Sequence, residues 1–272
     1  MALDTSARSA GKRVPLIAGN WKMNLDHLQS IAFVQKLAWT LKDARHDFGA
    51  GGAEVAVFPP FTDLRSVQNL ISADKLALTF GGQDLSEHDS GAYTGEISGA
   101  FLKALDCTYV IIGHSERRQY HGETDEQLGR KVVAALKHGL VPVLCVGETA
   151  QDLETHGPSA VPVAQLRAAL ERLTGTPNLV VAYEPVWAIG SGQAATPEQA
   201  EQVAGKLREV LRELLGDEVA DATRILYGGS VKSGNIAGFL REPNIDGALV
   251  GGASLEVAEF ASISRFQKHV GT

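Results

Sequence analysis

Eight short apolar runs recur along the chain, and amphipathic or polar stretches separate them. They are VPLIAGN (14–20), EVAVFPP (54–60), LALTFGGQD (76–84), YVIIGH (109–114), LVPVLCVGE (140–148), LVVAYEP (179–185), RILYGGS (224–230) and DGALVGGAS (246–254). The runs are almost continuously apolar and do not alternate, which is the pattern of a strand buried on both faces. Such strands belong to parallel sheets, so the repeat predicts an α/β fold.

The stretches between the runs have the spacing of amphipathic helices. Thr196 and Pro197 predict an N-cap and a first helical position, ahead of a helix over 197–215. Apolar residues at helical spacing are Leu166, Leu170 and Leu173 in one stretch, and Val203, Leu207, Val210, Leu211 and Leu214 in another.

Eight strand-then-helix units in about 250 residues favour a closed parallel (β/α)8 barrel over an open, doubly wound sheet. No GxGxxG follows the first run, which further weakens a dinucleotide-binding fold. We therefore predict a single barrel domain over 14–272. Residues 1–13 are expected to form a flexible N-terminal extension.

Composition and charge argue against several classes of function. The net charge is −7 among 272 residues, so binding to nucleic acid or to an anionic membrane is not expected. The first residues lack the apolar core of a signal peptide, and no window approaches about 18 apolar residues. Cys107 and Cys145 lie in apolar surroundings, which favours buried thiols in a reducing, cytoplasmic compartment; a nucleophilic Cys145 is the alternative. Metal-ligand spacing is absent, so neither a metal nor another cofactor is predicted.

The polar residues and glycines of the runs fall at the C-terminal ends of the predicted strands. In a (β/α)8 barrel this end carries the active site. They are Asn20, His114, Glu148, Glu184, Gly228–Ser230 and Gly251–Gly252.

Lys22, in AGNWKMN (18–24), follows the first strand. It is either a solvated charge or a cation inside the barrel mouth, where it would attract an anion and stabilise developing negative charge. Asn20 is either a turn former or the residue that orients Lys22.

His114 ends the fourth strand in IIGHSERRQY (111–120), where Ser115 and Glu116 are able to open a helix. Helix N-terminal amides disfavour a positive imidazole, so a neutral, proton-donating His114 is expected; a satisfied core histidine is the alternative. For Glu116, Arg117 and Arg118 a structural ion-pair cluster is favoured over a reacting role.

Glu184 is the single carboxylate of VVAYEPVWAIGSG (180–192), where a buried strand passes into a small-residue loop. It is either a buried ion-pair partner or a base, because burial destabilises the charged carboxylate and strengthens it as a base. Pro185 restricts Glu184 to an extended backbone. The loop that follows suits a lid that closes over substrate and excludes water.

Glycines in YGGS (227–230) and VGGAS (250–254) follow the last two strands. They are either simple turns or sites where backbone amides approach an anion, and in barrels these two loops often hold phosphate. With a base, a neutral acid, a cation and a lid, the chemistry favoured is proton abstraction next to the carbonyl of a small phosphate ester. Paired carboxylates for glycoside hydrolysis, a Ser/His/Asp arrangement and a Walker loop are absent.

Six segments resemble those of the triosephosphate isomerase family, in the same order, between about residues 14 and 268: AGNWKMN, GAYTGEIS (91–98), GHSERR, VAYEPVWAIGSG, YGGS and LVGGASL (249–255). The resemblance implies the barrel known as the TIM barrel. It also implies cofactor-free interconversion of dihydroxyacetone phosphate and D-glyceraldehyde 3-phosphate through an enediolate, in glycolysis and gluconeogenesis.

The resemblance also implies residue roles. Glu184 is the base that moves the proton between carbons 1 and 2, and His114 is the electrophile at the two oxygens. Lys22 pairs electrostatically with substrate, Asn20 holds the local geometry, and Glu116 is a supporting charge. Substrate phosphate meets Asn20 and Lys22 and the main-chain amides of Gly190, Ser230, Gly251 and Gly252.

A lid, a latch and a homodimer are implied as well. The lid runs from Pro185 to Ala195, and Tyr227 and Ser230 latch it when it closes. Thr94, in GAYTGEIS, reaches the Asn20–Lys22 region of a partner subunit. The core of the lid is Pro185, Val186, Trp187, Ala188, Ile189, Gly190, Ser191 and Gly192.

The chain departs from the family pattern in three places, one of which is the extra lead of 13 residues. The lid has Gln193 and Ala194 where lysine and threonine are common, and Asp84 stands where asparagine is common after Gln83. Two other functions are weighed: a different phosphate-binding barrel enzyme, which would need a metal cluster or a larger pocket, and a non-catalytic scaffold barrel. The scaffold predicts the loss of Lys22, His114 or Glu184, and all three are present.

Overall fold

A closed barrel of eight parallel strands forms the centre of the molecule in a computed structural model, which describes residues 13–49, 51–189 and 194–269. Each strand pairs with the next along the chain, and the last pairs with the first. The predicted (β/α)8 barrel is therefore confirmed. The strands are β1 (Leu16–Asn20), β2 (Glu54–Phe58), β3 (Thr79–Gly82), β4 (Tyr109–Ile112), β5 (Val141–Val146), β6 (Val180–Tyr183), β7 (Arg224–Tyr227) and β8 (Gly247–Val250).

Helices follow the strands and surround the barrel. In the described ranges they are α1 (His27–Asp43), α2 (Leu64–Asp74), α3 (Gly99–Ala104), α4 (Ser115–His121), α5 (Asp125–Lys137), α6 (Ala150–His156), α7 (Ala160–Leu170), α8 (Pro197–Leu215), α9 (Asp217–Ala222), α10 (Ile236–Phe239) and α11 (Val257–Ser264). None of the helices in these ranges has the length and apolarity needed to cross a membrane.

The strands bury both of their faces, as their composition predicted. On β1, Leu16 and Ala18 point into the barrel and pack with Phe58 and Leu226. Ile17, between them, belongs to the larger cluster outside the strands, where the helices pack. Because successive strand residues face opposite sides, an unbroken apolar run is what two buried faces require.

The helix predicted over 197–215 has the expected bounds and start. The Thr196 side chain accepts the Gln199 N–H, the Gln199 side chain accepts the Thr196 N–H, and Pro197 is the first helical residue. This reciprocal capping satisfies backbone donors that the helix cannot satisfy internally.

Two of the apolar residues at helical spacing are not fully buried. Leu173 lies beyond the end of α7 at Leu170, and it packs only partly buried against the core. Leu214 is 39% exposed near the end of α8. Leu173 therefore lies outside the predicted helix, whereas Leu214 lies within α8, as its spacing predicted.

Asp246 anchors the N-terminal end of the barrel. Its side chain is fully buried and accepts hydrogen bonds from Arg13 and Arg208 at 2.8 Å each and from the Ile225 N–H at 3.0 Å. Arg13, predicted as the end of the flexible extension, is thus held in the packed structure. Residues 1–12 lie outside the described ranges, so the extension remains a prediction for them.

Candidate active site

A cavity of about 470 Å³ opens at the C-terminal ends of the strands. Asn20, Lys22, His114, Glu116 and Glu184 line it, together with residues 228–232 and 251–253. The strand-end residues singled out in the sequence therefore meet in one cavity, except Glu148, which is not part of its lining. They meet because parallel strands direct all their C-terminal ends to the same face.

Glu184 lies directly after β6 and is only 2% exposed. Its backbone N–H donates to the Val146 carbonyl at 2.8 Å, which continues the pairing of β6 with β5. One carboxylate oxygen, Oε1, lies 2.9 Å from His114 Nε2. The other, Oε2, accepts the Ser115 backbone N–H at 2.9 Å. The carboxylate is thus held by two donors at the start of α4.

These donors reverse the effect expected from burial. Burial raises the pKa of Glu184, but His114 and the Ser115 N–H outweigh it, and the net direction is downward. Glu184 is therefore held as a carboxylate in the ligand-free site, and the stronger base expected of a closed, dry cavity stays a prediction.

Two glycines allow the chain to pass close to Glu184. A side chain at Gly147 would overlap the Glu184 carbonyl oxygen, and a Cβ at Gly228 would lie 2.9 Å from Glu184 Cγ. Gly228 was singled out for anion binding, and the structure adds a second reason for a glycine there. The sequence offered no sign of it, because Gly147 and Gly228 directly follow β5 and β7 and lie far from Glu184 along the chain.

His114 is the N-cap of α4. Its Nδ1 accepts the Glu116 backbone N–H at 3.2 Å, so this nitrogen carries a lone pair. The proton of the neutral ring then lies on Nε2 and faces Glu184. Burial lowers the pKa of His114 and the neighbouring Glu184 raises it, with a net upward direction while that carboxylate is beside it.

Lys22 points into the cavity and is not a solvated charge. Its Nζ lies 2.6 Å from Glu116 Oε1, and its backbone N–H donates to Asn20 Oδ1 at 3.0 Å. The Lys22 φ angle is +54°, an uncommon conformation for a residue other than glycine. Gln83 holds this conformation, because its Nε2 donates to the Lys22 carbonyl at 2.7 Å. The sequence did not predict that Gln83 contacts Lys22.

Arg117 and Arg118 form the structural ion pairs that were favoured for them. Arg117 contacts Asp84 at 3.0 Å and Glu123 at 2.8 Å, whereas Arg118 pairs with Asp125. Glu116 differs from both arginines because it faces the cavity and Lys22.

A buried lysine completes the Arg117 cluster. Lys131 is 3% exposed and contacts Asp84 at 2.7 Å and Glu123 at 2.6 Å. The acid at position 84, where the family commonly has asparagine, therefore has two cationic partners.

The two glycine segments present backbone amides to the cavity. Within the described residues, the N–H groups of Ser230 and Gly252 donate to no acceptor. Gly251 lies beside the Lys22 side chain, since a Cβ there would be 3.7 Å from Lys22 Cε. Free amides beside a lysine can bind an anion such as phosphate.

Both described ends of the predicted lid are tethered to β7 and the residues after it. Ser230 Oγ donates to the Ala188 carbonyl at 2.9 Å, and Tyr227 Oη accepts the Ala195 N–H at 3.1 Å. Pro185, Val186, Trp187, Ala188 and Ile189 are described; Gly190, Ser191, Gly192 and Gln193 lie outside the described residues.

Glu148 contacts the start of this loop and was given no role from sequence. Its Oε1 accepts hydrogen bonds from Trp187 Nε1 at 2.7 Å and Tyr183 Oη at 2.9 Å. Its Oε2 has no hydrogen-bond partner among the described residues, and burial raises its pKa. The available sign was its position at the end of β5, in LCVGE.

Both cysteines are free and fully buried, as predicted. Cys145 faces the barrel interior, where burial and the nearby Glu184 raise the pKa of its thiol well above the ordinary range. The alternative of a nucleophilic Cys145 is wrong, because a nucleophile needs the thiolate. The described residues contain no group of three or more His, Cys, Asp or Glu side chains placed to hold a metal.

Comparisons with known proteins agree on one family. The family model described as triosephosphate isomerase matches residues 15–267. A triosephosphate isomerase of Leifsonia xyli subsp. xyli is 76% identical over 259 residues, which cover 95% of this chain and 99% of that protein. Triosephosphate isomerases of Streptomyces avermitilis and Mycobacterium tuberculosis are 54% and 51% identical, covering 94% and 93% of this chain and 98% and 96% of their own lengths.

Proposed function

Because this chain belongs to the triosephosphate isomerase family, it interconverts dihydroxyacetone phosphate and D-glyceraldehyde 3-phosphate, and we propose that Glu184, His114 and Lys22 carry out this reaction. The observation that supports the assignment most strongly is the 2.9 Å contact between Glu184 Oε1 and His114 Nε2 inside the cavity. A base and a proton donor in contact are the two groups that a proton transfer next to a carbonyl needs.

Glu184 removes a proton from the carbon next to the substrate carbonyl and returns it to the neighbouring carbon. To do so it leaves the Ser115 N–H and His114, which lower its pKa in the ligand-free site. Without these two donors, burial in a closed cavity raises the pKa of Glu184 and strengthens it as a base.

His114 donates its Nε2 proton to the carbonyl oxygen, and it takes a proton back from the neighbouring hydroxyl oxygen, so the enediol(ate) forms without a full charge on oxygen and the imidazole returns to its neutral form. Once Glu184 has turned from His114 to the substrate, the Glu116 N–H on Nδ1 favours the neutral imidazole, since it opposes protonation of that nitrogen. A glutamate base with a neutral histidine is the mechanism for which this family is known.

Lys22 stabilises the negative charge that develops on the substrate oxygens. Asn20 and Gln83 support this role, because they hold its backbone at +54° with the side chain in the cavity. Glu116 sets the position of the ammonium group at 2.6 Å.

The phosphate group binds the backbone amides of Ser230, Gly251 and Gly252, and of Gly190 when the lid closes. The tethers of Tyr227 to Ala195 and of Ser230 to Ala188 support a latch at both ends of the lid. Closure excludes water from the enediolate, which protects it from side reactions.

The site assignment is tested by a coupled assay of D-glyceraldehyde 3-phosphate isomerisation with wild type, E184Q and E154Q. Glu154 is exposed on α6 and serves as the matched control. We expect E184Q to lose about a hundredfold or more of kcat, the usual effect of removing a positioned base, and E154Q to match wild type. An E184Q protein as fast as wild type would refute the assignment.

A homodimer is proposed as the active form. Large apolar side chains are exposed near Lys22 and Thr94 in the sequence: Met23 is 93% exposed, Tyr93 45% and Phe101 59%. Exposed large apolar side chains of this kind favour a protein interface. Sedimentation and activity of T94R, with T155R on α6 as control, test this: we expect T94R alone to become monomeric and slow. A dimeric, fully active T94R would exclude the contact.

The proposed location is the cytoplasm. Two free, buried cysteines are compatible with a reducing compartment. Cell fractionation with an antibody to the chain tests this, and recovery in the cytoplasmic fraction is expected.

A further inference from the structure

We propose that Lys232 is an additional substrate-binding residue, which attracts the phosphate group to the mouth of the cavity and takes no part in proton transfer. This inference rests on the function proposed above, because it assumes that the anion bound at this site is a phosphate ester.

Lys232 lines the same cavity as Glu184 and His114 and lies two residues after Ser230. Its backbone is fixed, because its N–H donates to Asn235 Oδ1 at 2.8 Å. Asn235 Nδ2 also donates to the Ser230 carbonyl at 3.1 Å, so one side chain ties Lys232 to the Ser230 amide segment. The lysine side chain itself remains exposed.

Of the two cations that line the cavity, Lys232 is the one without a carboxylate partner among the described residues. Among the described lining residues, the cations are Lys22 and Lys232, and the carboxylates are Glu116 and Glu184. Lys22 Nζ lies 2.6 Å from Glu116 Oε1, so the charges of these two residues offset each other. Without Lys232, the carboxylate of Glu184 would give the cavity a net negative charge. A cavity that is to admit a phosphate ester needs a compensating positive charge.

Lys232 is not engaged elsewhere in the described part of the chain. Its ammonium group forms no ion pair or hydrogen bond with the described residues. Glu259, the acid that contacts this loop, accepts hydrogen bonds from Ser233 N and Oγ at 2.8 and 3.0 Å.

The position of Lys232 determines the kinetic effect to expect. An exposed charge at a rim changes the encounter with a charged ligand and its salt dependence far more than it changes the chemical step. The chain as a whole carries a net charge of −7, which repels an anion. A local cation counters this repulsion over a distance of about 8 Å at physiological ionic strength.

The test compares wild type, K232Q and K232R, with K36Q as the control. Lys36 is exposed on α1, outside the cavity, so K36Q changes net charge equally. At low ionic strength we expect K232Q to lower kcat/KM by about three- to tenfold with kcat unchanged, and the difference to disappear near 1 M salt. K232R should keep most of the wild-type value, and K36Q all of it.

Competitive inhibition by inorganic phosphate, and its binding measured by calorimetry, give a readout that does not depend on turnover. K232Q should bind phosphate more weakly than wild type by a similar factor. Wild-type values for KM, phosphate binding and salt dependence in K232Q would overturn the inference. A wild type that binds phosphate but does not isomerise the triose would instead refute the proposed function.

Discussion

Glu184 and His114 are in direct contact, with 2.9 Å between the carboxylate oxygen Oε1 and Nε2. They lie 70 residues apart, at the ends of β6 and β4, and no strand-end pattern predicts that they meet in the ligand-free protein. The contact couples the proton affinities of the two groups that we assign to catalysis.

Replacing His114 with glutamine is expected to raise the pKa of Glu184. Burial raises the pKa of Glu184, and His114 is the strongest of the groups that lower it. When the imidazole is absent, the effect of burial on the pKa is less opposed. NMR titration of the Glu184 carboxyl carbon in H114Q and wild type measures this shift. The same variant should lose about a hundredfold or more of kcat. An unchanged or lowered pKa in H114Q would contradict this account.

E148Q is expected to gain stability relative to wild type as the pH rises above 4.5. Burial raises the pKa of Glu148 above 4.5, its value in the unfolded chain. Below pH 4.5 the carboxyl is protonated in both states. As the pH rises through the folded pKa, the folded wild type must bury a charge, and it loses stability relative to E148Q.

Urea unfolding of E148Q, wild type and the exposed control E154Q at pH 4 to 8 tests this dependence. The difference between E148Q and wild type should grow with pH, while E154Q stays close to wild type. A difference that does not vary with pH would show that Glu148 is not destabilised by its burial.

G229A is expected to lower stability by about 1–3 kcal/mol, in the range for overpacked sites. A methyl group at Gly229 would overlap Tyr227 Oη and lie 3.1 Å from Pro185 Cγ. The displaced ring would also lose its hydrogen bond with Ala195. G252A, where a Cβ meets no heavy atom within 4 Å, is the matched control in the same phosphate-binding region.

Thermal unfolding of both glycine variants at a fixed protein concentration provides the measurement. A G229A midpoint equal to that of G252A would mean that Tyr227 moves aside without cost, and the latch would need another explanation.

D246N is expected to destabilise the fold by roughly 3–5 kcal/mol, because removing one partner leaves buried charge uncompensated. Asp246 is the carboxylate between Arg13 and Arg208, and both arginine side chains are almost fully buried. D217N is the control, since Asp217 pairs with Arg212 at 2.7 Å and is 80% exposed. Urea unfolding should show a loss of about 1 kcal/mol or less for D217N. Equal losses of unfolding free energy in D246N and D217N would show that the burial of Asp246 does not increase its contribution to stability.

The barrel was predictable because its cause is local. Unbroken apolar runs such as LVPVLCVGE require two buried faces, and eight of them separated by helical stretches leave few topologies. The candidate site followed from the same logic, since Asn20, His114 and Glu184 come at strand ends. The ends of the helices were less predictable. Leu173 keeps the helical spacing of Leu166 and Leu170, but α7 ends at Leu170.

The groups that hold the site were not predictable in the same way. Gln83 contacts the Lys22 carbonyl across 61 residues of sequence, and Glu148 accepts from Trp187 across 39. Neither contact leaves a periodic pattern, because each joins segments that follow different strands and meet only in the folded barrel.

The sequence by itself determined the fold, the family and the residue types gathered at the active face, because strand burial and strand-end position are properties of short segments. The tertiary structure decided the state of those residues. It placed Glu184 against two donors that lower its pKa, paired Lys22 with Glu116, and left Lys232 as the available cation. These outcomes depend on distances of about 3 Å between segments far apart in the chain, where hydrogen bonds and charge interactions form only once the barrel has closed.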